Sequence, residues 1–111
     1  MPLTMHSSTE GNTARLRLAG EVDGTTAPQM RAEVDKLLSS SPKNLVLQVD
    51  ELTFMSSAGL RVLIFAKQKQ PGLTIYVVKP QPPVVDTLRK TGFYDGVYVT
   101  ETEPDTGLAA V

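Results

Sequence analysis

The sequence predicts an α/β fold: a mixed, mostly parallel sheet of about five strands with three or four helices packed on it. Three observations lead there. Apolar residues recur with period 2 in some segments and period 3.6 in others, and the two kinds alternate in the order β-β-α-β-α-β-α-β. Leu45-Val46-Leu47-Gln48-Val49 is a nearly continuous apolar run, the pattern of a central strand covered on both faces. Residues 14–21 instead set Leu16 and Leu18 against Arg15 and Arg17, the pattern of a strand with one face toward water. Strands joined through helices are expected to cross over with right-handed connections.

The elements follow in order. Leu3, Met5 and Ser7 form a weakly alternating first strand, closed by a Gly11-Asn12 turn signal. Residues 14–21 form the second strand. After Asp23-Gly24-Thr25-Thr26 a helix starts, with Thr26 and Gln29 spaced as a capping box and Pro28 in the first turn. Met30, Val34, Leu37 and Leu38 are its apolar stripe, and Ser39-Ser40-Ser41-Pro42 ends it. The third strand is 45–49. Residues 57–70 read as a second helix closed by Pro71-Gly72, and 73–78 as another buried strand. A third helix spans 82–90, opened by Pro82-Pro83 and closed by Gly92, with Phe93 set for the accompanying apolar contact. Residues 96–100 form a short last strand. One domain is expected over residues 1–100, and residues 101–111 read as an acidic tail that frays.

Composition narrows the function classes. A chain of 111 residues with 41% hydrophobic residues buries a core without disulfides or metals. The net charge of −1 gives no electrostatic case for nucleic acid or an anionic membrane. No apolar run approaches the roughly 20 residues of a membrane helix, and the polar first ten residues show no signal-peptide core. With no cysteine, the chain has neither a disulfide framework nor thiolate-bound zinc, which suits the cytoplasm. Gly20 and Gly24 lack the lysine of a phosphate loop, the single histidine, His6, reads as incidental, and the acids lack metal-loop spacing. The expectation is a protein that is not an enzyme and holds no cofactor or metal.

The informative stretch is Phe54-Met55-Ser56-Ser57-Ala58-Gly59-Leu60-Arg61, between a buried strand and a strongly apolar helix. Ser56 or Ser57 suits the N-cap, and the plain reading stops at that cap, worth ~1 kcal/mol. The helical wheel adds more. Leu60, Leu63, Ile64 and Ala66 share one broad face with Val62 at its margin, and Arg61, Gln68 and Lys69 share the other. Phe65 falls in the polar sector, either as core under a neighbouring loop or as part of a docking stripe with Ala58 and Arg61. Gly59 is costly in a helix interior and makes sense where backbone or a partner approaches closely. A phosphate on Ser57 would sit at a helix N-terminus, where free amides favour an anion, and would add about −1.5 to −2 charges to the docking stripe. A partner fitted to that stripe would then be repelled.

Two motifs resemble those of a known family, the STAS-domain anti-sigma-factor antagonists. Leu18-Ala19-Gly20-Glu21-Val22-Asp23 resembles the family's L-x-G-E-L-D. Leu52-Thr53-Phe54-Met55-Ser56-Ser57-Ala58-Gly59-Leu60 resembles its L-S-x-M-D-S-S-G-L. Element order and spacing match up to about Thr100. The resemblance implies the STAS fold and a partner switch. The unmodified antagonist binds an anti-sigma factor that is also a serine kinase of the GHKL ATPase type, and so releases the sigma factor. The kinase phosphorylates a serine that corresponds to Ser57, a PP2C-type phosphatase restores it, and Asp23 supports the phosphorylation. ATP belongs to the kinase. Asp23, Ser56, Ser57, Ala58, Gly59, Arg61 and Phe65 are the implied partner-binding residues. Here Ser56 replaces the family's aspartate and Ala58 its second serine, so Ser56 is the second candidate acceptor.

Two other readings compete. One keeps partner switching but directs it to a non-sigma target such as secretion or biofilm control. The other is a STAS scaffold or small-ligand sensor that no kinase modifies. The strand carrying Arg15 and Arg17 reads as an edge whose charges oppose edge-to-edge pairing, and the free chain is expected to be a monomer.

Overall fold

The computed structural model describes residues 2–102. Residues 103–111, most of the expected acidic tail, lie outside the described residues. The elements are β1 (Thr4–Glu10), β2 (Thr13–Val22), α1 (Ala27–Leu38), β3 (Asn44–Met55), α2 (Ser57–Lys69), β4 (Thr74–Val78), α3 (Pro82–Lys90), a single 3-10 turn (Phe93–Gly96) and β5 (Tyr98–Thr100). The five strands lie in sequence order, β1-β2-β3-β4-β5. β1 pairs antiparallel with β2, and every later pair is parallel. This is the mixed, mostly parallel sheet with three helices that the alternation predicts.

Each crossover steps one strand in the same direction, and connections of one hand then place the helices on one face. The burial pattern agrees. Leu16, Leu47 and Val77 stand in one parallel register and Ala14, Leu45 and Ile75 in another, and all are buried in the core. From the helices, Met30, Val34, Leu60, Leu63, Val84 and Leu88 complete that core. α1 packs on α2, and α2 on α3.

The other face carries no helix among the described residues, which corrects the expectation that both faces of β3 are covered. Arg15, Val46, Tyr76 and Tyr98 form one cross-strand row there, and Tyr76 and Tyr98 stack with ring centroids 5.4 Å apart. Val46 is fully buried within that row.

The strand carrying Arg15 and Arg17 is not an edge. β1 covers its outer side, which leaves β1 and β5 as the edges. Arg17 reaches Asp50 at 3.3 Å and Glu51 at 2.6 Å on β3, and its guanidinium is held more firmly protonated by Glu51 first and Asp50 second. The alternating charges thus belong to an internal strand whose second face carries no helix among the described residues.

β3 is much longer than its apolar run. It extends through Asp50, Glu51 and Thr53 to Met55, held by pairing with β2 as far as Val22. Two register shifts, after Arg17 and after Gly20, each place an extra residue on β3. Bulges of this kind re-aim side chains, and here they leave Thr53 and Phe54 exposed on either side of a sheet that buries Leu52 and Met55. At Gly20, φ is +104° and a Cβ would run into the Pro2 carbonyl, so this position of the first motif requires glycine.

Candidate functional site

β2 and β3 are parallel neighbours, so they end together and both turn into helices at the same edge of the sheet. The C-terminal ends of parallel strands are where open α/β sheets place their sites. The Ser56 amide donates to the Val22 carbonyl at 2.8 Å, which ties the two loops at this edge. Asp23 and Ser57 are the next residues along each chain.

Asp23 organises the first loop. Its Oδ1 accepts from the Thr25 amide at 2.8 Å, the Thr25 hydroxyl at 2.7 Å and the Thr26 amide at 3.1 Å. The Thr25 hydroxyl, then the Thr25 amide, hold the carboxyl below its usual range. The expected Thr26–Gln29 capping box does not form. The Thr26 hydroxyl instead donates to the Glu21 carbonyl at 3.0 Å and accepts from the Asp23 amide at 2.9 Å. Thr26 has helical backbone angles (φ −104°, ψ −18°) and no side-chain cap bond, so Asp23 takes over the capping of the entry to α1.

The second loop separates the two serines. Ser56 is extended (φ −83°, ψ 176°) and its hydroxyl accepts from the Ala58 amide at 3.2 Å, so Ser56 is the N-cap. Ser57 is the first helical residue. It is exposed, and its hydroxyl makes no hydrogen bond among the described residues.

Gly59 does not face outward. It is buried, and a Cβ there would meet Val22 Cγ1 at 2.6 Å and Met55 Cγ at 2.7 Å. The missing side chain lets α2 seat directly on the ends of β2 and β3, and the close approach is made by the sheet. Of the residues on the proposed partner face, Gly59 therefore acts through position and offers no surface.

Ala58, Arg61 and Phe65 do come together. With Val62 they form one wall of a cleft of about 360 Å³ between the two helices. Gly24, Ala27, Pro28 and Arg31 form the other. Phe65 is half-buried beneath Arg31, whose guanidinium carbon lies 3.9 Å from the ring centroid. The aromatic is thus neither plain core nor free stripe, but the floor on which a cation from α1 rests. On α2 itself, Val62 is buried and Ile64 only half-buried, the reverse of their order on the wheel. Arg61 is exposed and has no hydrogen bond or ion pair among the described residues.

The sequence reading missed the contribution of α1 to this cleft, Arg31 above all. Periodicity within one helix carries no information about which exposed residue of another helix faces it. It also gave no role to Phe54, which is 41% exposed at the end of β3 just before the serines. The apolar pattern ends the strand at Val49, so Phe54 is not placed on it, and its exposure depends on the bulged extension of β3. Among the described residues no group of three or more His, Cys, Asp or Glu could hold a metal ion, and no helix is long and apolar enough to cross a membrane.

Comparisons with known proteins converge. The family model for the STAS domain matches residues 6–108. An anti-sigma F factor antagonist of Paenibacillus polymyxa is 29% identical over 91 residues, covering 79% of this chain and 78% of that protein. The crystal structure of an anti-sigma factor antagonist from Mycobacterium paratuberculosis superposes with a TM-score of 0.83 at 24% identity, over 99% of this chain and 94% of that one. The phosphorylated form of the Bacillus cell fate determinant SpoIIAA superposes with a TM-score of 0.70 at 18% identity, over 90% and 93%. At those identities the structural likeness speaks for the fold.

Proposed function

This chain belongs to the STAS domain family, and from that premise we propose that it is an anti-sigma-factor antagonist working as a phosphorylation-controlled binding switch in the cytoplasm. Unmodified, it binds an anti-sigma factor that is also a serine kinase, through Ser57, the walls of the α1–α2 cleft and the Asp23 loop. The bound kinase then releases its target. The chain performs no chemistry of its own. ATP sits in the kinase, and the γ-phosphoryl group passes to Ser57 Oγ as its bond to the β-phosphate oxygen breaks and the hydroxyl proton passes to a carboxylate base or to solvent. ADP leaves, and a phosphatase of the PP2C type hydrolyses the ester.

The observation that carries this reading is the contrast between the two serines. The Ser56 hydroxyl is engaged as a helix cap, whereas the Ser57 hydroxyl is exposed and unengaged beside a cleft. Modifying Ser57 leaves the cap intact, so phosphorylation changes the surface without unfolding the helix. The added charge of about −1.5 to −2 falls where a fitted partner would have to approach. Asp23 Oδ2 makes no bond among the described residues, which leaves one carboxylate oxygen for supporting the transfer.

The test is intact-mass and phosphopeptide analysis of the protein expressed with its cognate kinase. One phosphate on Ser57, and titration calorimetry in which Ser57→Ala binds that kinase while Ser57→Asp binds it at least tenfold more weakly, supports the switch. A phosphate on Ser56 alone moves the site. Equal binding by the two variants ends the proposal.

A further inference from the structure

We propose that Arg61 is the internal counter-ion of the phosphate on Ser57, so that modification adds charge and at the same moment withdraws a guanidinium from the docking face. This rests on the switch reading above and names how its site is regulated. Ser57 and Arg61 stand four positions apart within α2, the spacing that brings two side chains to the same helix face. The acidic member precedes the basic one, the favourable orientation for such a pair. Arg61 is available: it is exposed and has no hydrogen bond or ion pair among the described residues. The other arginines differ. Arg15 and Arg17 pair with acids on the sheet, and Arg31 and Arg89 lie over the rings of Phe65 and Tyr94.

The surroundings favour the pairing. Two guanidinium groups, Arg31 and Arg61, line the cleft and no carboxylate does. The pair has no neutralising partner there, so an anion arriving at its edge is attracted. The Ala58 amide is already taken by the Ser56 hydroxyl, which leaves fewer first-turn amides for the phosphate and gives Arg61 the larger part in holding it. A planar guanidinium also binds two phosphoryl oxygens at once. In the unmodified protein Arg61 projects with Ala58 and Phe65 toward the partner. In the modified one it folds back one turn along its own helix, and the cleft loses a cation that the partner would have contacted.

The experiment uses the full chain carrying genetically encoded phosphoserine at position 57, and reads the phosphate by phosphorus NMR during a pH titration. The charged groups on the elements around the head of α2 are Asp23 on the neighbouring loop, Arg31 across the cleft and, on α3, which bonds the Met55 carbonyl through Thr87, the Asp86–Lys90 pair; all are present in every protein compared. The dianion is expected to form at lower pH in the parent than in Arg61→Gln, by about 0.3 unit at low salt. Arg61→Lys should recover part of the shift, and Lys36→Gln, a charge removed from the far end of α1, should leave it unchanged. Superimposable titrations of the parent and Arg61→Gln overturn the assignment, as does an equal displacement by Lys36→Gln. No partner enters this measurement, so its failure is distinct from failure of phosphorylation to weaken kinase binding, which would overturn the switch itself.

Discussion

Gly59→Ala tests the seating of α2 on the sheet, on which the placement of Ser57, Ala58 and Arg61 depends. Two effects oppose each other. Alanine is favoured over glycine in a helix by up to ~1 kcal/mol, and by less in the first turn. Against this, the new methyl would sit 2.6 Å from Val22 Cγ1 and 2.7 Å from Met55 Cγ. Carbon atoms pack at about 3.5–4.0 Å, so neighbours must retreat by roughly 1 Å. Val22 is fully buried and stiff at χ1, while Met55, 3% exposed, is able to swing only into other core atoms. Overpacking of this kind costs about 1–3 kcal/mol. The net expectation is a loss of about 1–2 kcal/mol, which for a domain near this size lowers Tm by roughly 4–10 °C. Urea unfolding followed by circular dichroism should show a lower midpoint with an unchanged slope. Gly72→Ala is the control, because nothing lies within 4 Å of a Cβ there, and its effect should stay within about 0.5 kcal/mol. An unchanged or raised midpoint for Gly59→Ala would refute the argument that the missing side chain is what lets α2 contact the strand ends.

Two further outcomes follow from the loops. Ser56→Ala should destabilise the protein by ~1 kcal/mol through loss of the N-cap bond to Ala58, whereas Ser57→Ala should leave the unfolding midpoint nearly unchanged; equal losses in chemical denaturation would contradict the division of roles. The Asp23 carboxyl titrates below its usual range in the folded state, so its stabilising contribution is complete above the unfolded value and disappears as pH falls through the folded one. Asp23→Asn keeps an oxygen for Thr25 and Thr26 but removes the charge, and its melting temperature should fall less steeply between about pH 5 and pH 2 than that of the parent. Parallel profiles would show that the carboxylate is not held by those bonds.

The sequence was most legible where structure is decided locally. α3 runs from Pro82 to Lys90 as read, because Pro82-Pro83 and Gly92 are start and stop signals that act within one turn. Gly92 adopts φ +78°, as the stop requires. β3 was legible only in its apolar half. Asp50 and Glu51 carry no strand signal of their own, and they are extended because β2 pairs beside them through two bulges. The capping box failed for a related reason: the Thr26 hydroxyl accepts from the Asp23 amide rather than from Gln29, and the backbone of Thr26 is helical where a cap residue is extended.

By itself the sequence determined the alternation of strands and helices, the serine pair at the head of α2 and the two motifs that point to the STAS family, since periodicity, caps and breakers are properties of neighbouring residues. The tertiary structure alone decided which serine is bound and which is exposed, that Gly59 turns inward against Val22 and Met55, and that Arg31 joins Phe65 and Arg61 in one cleft. The capping bond itself is local, but which serine makes it follows from where β3 ends, and that is set by pairing with β2. The contacts of Gly59 with Val22 and of Arg31 with Phe65 join residues more than thirty positions apart, which no local pattern records.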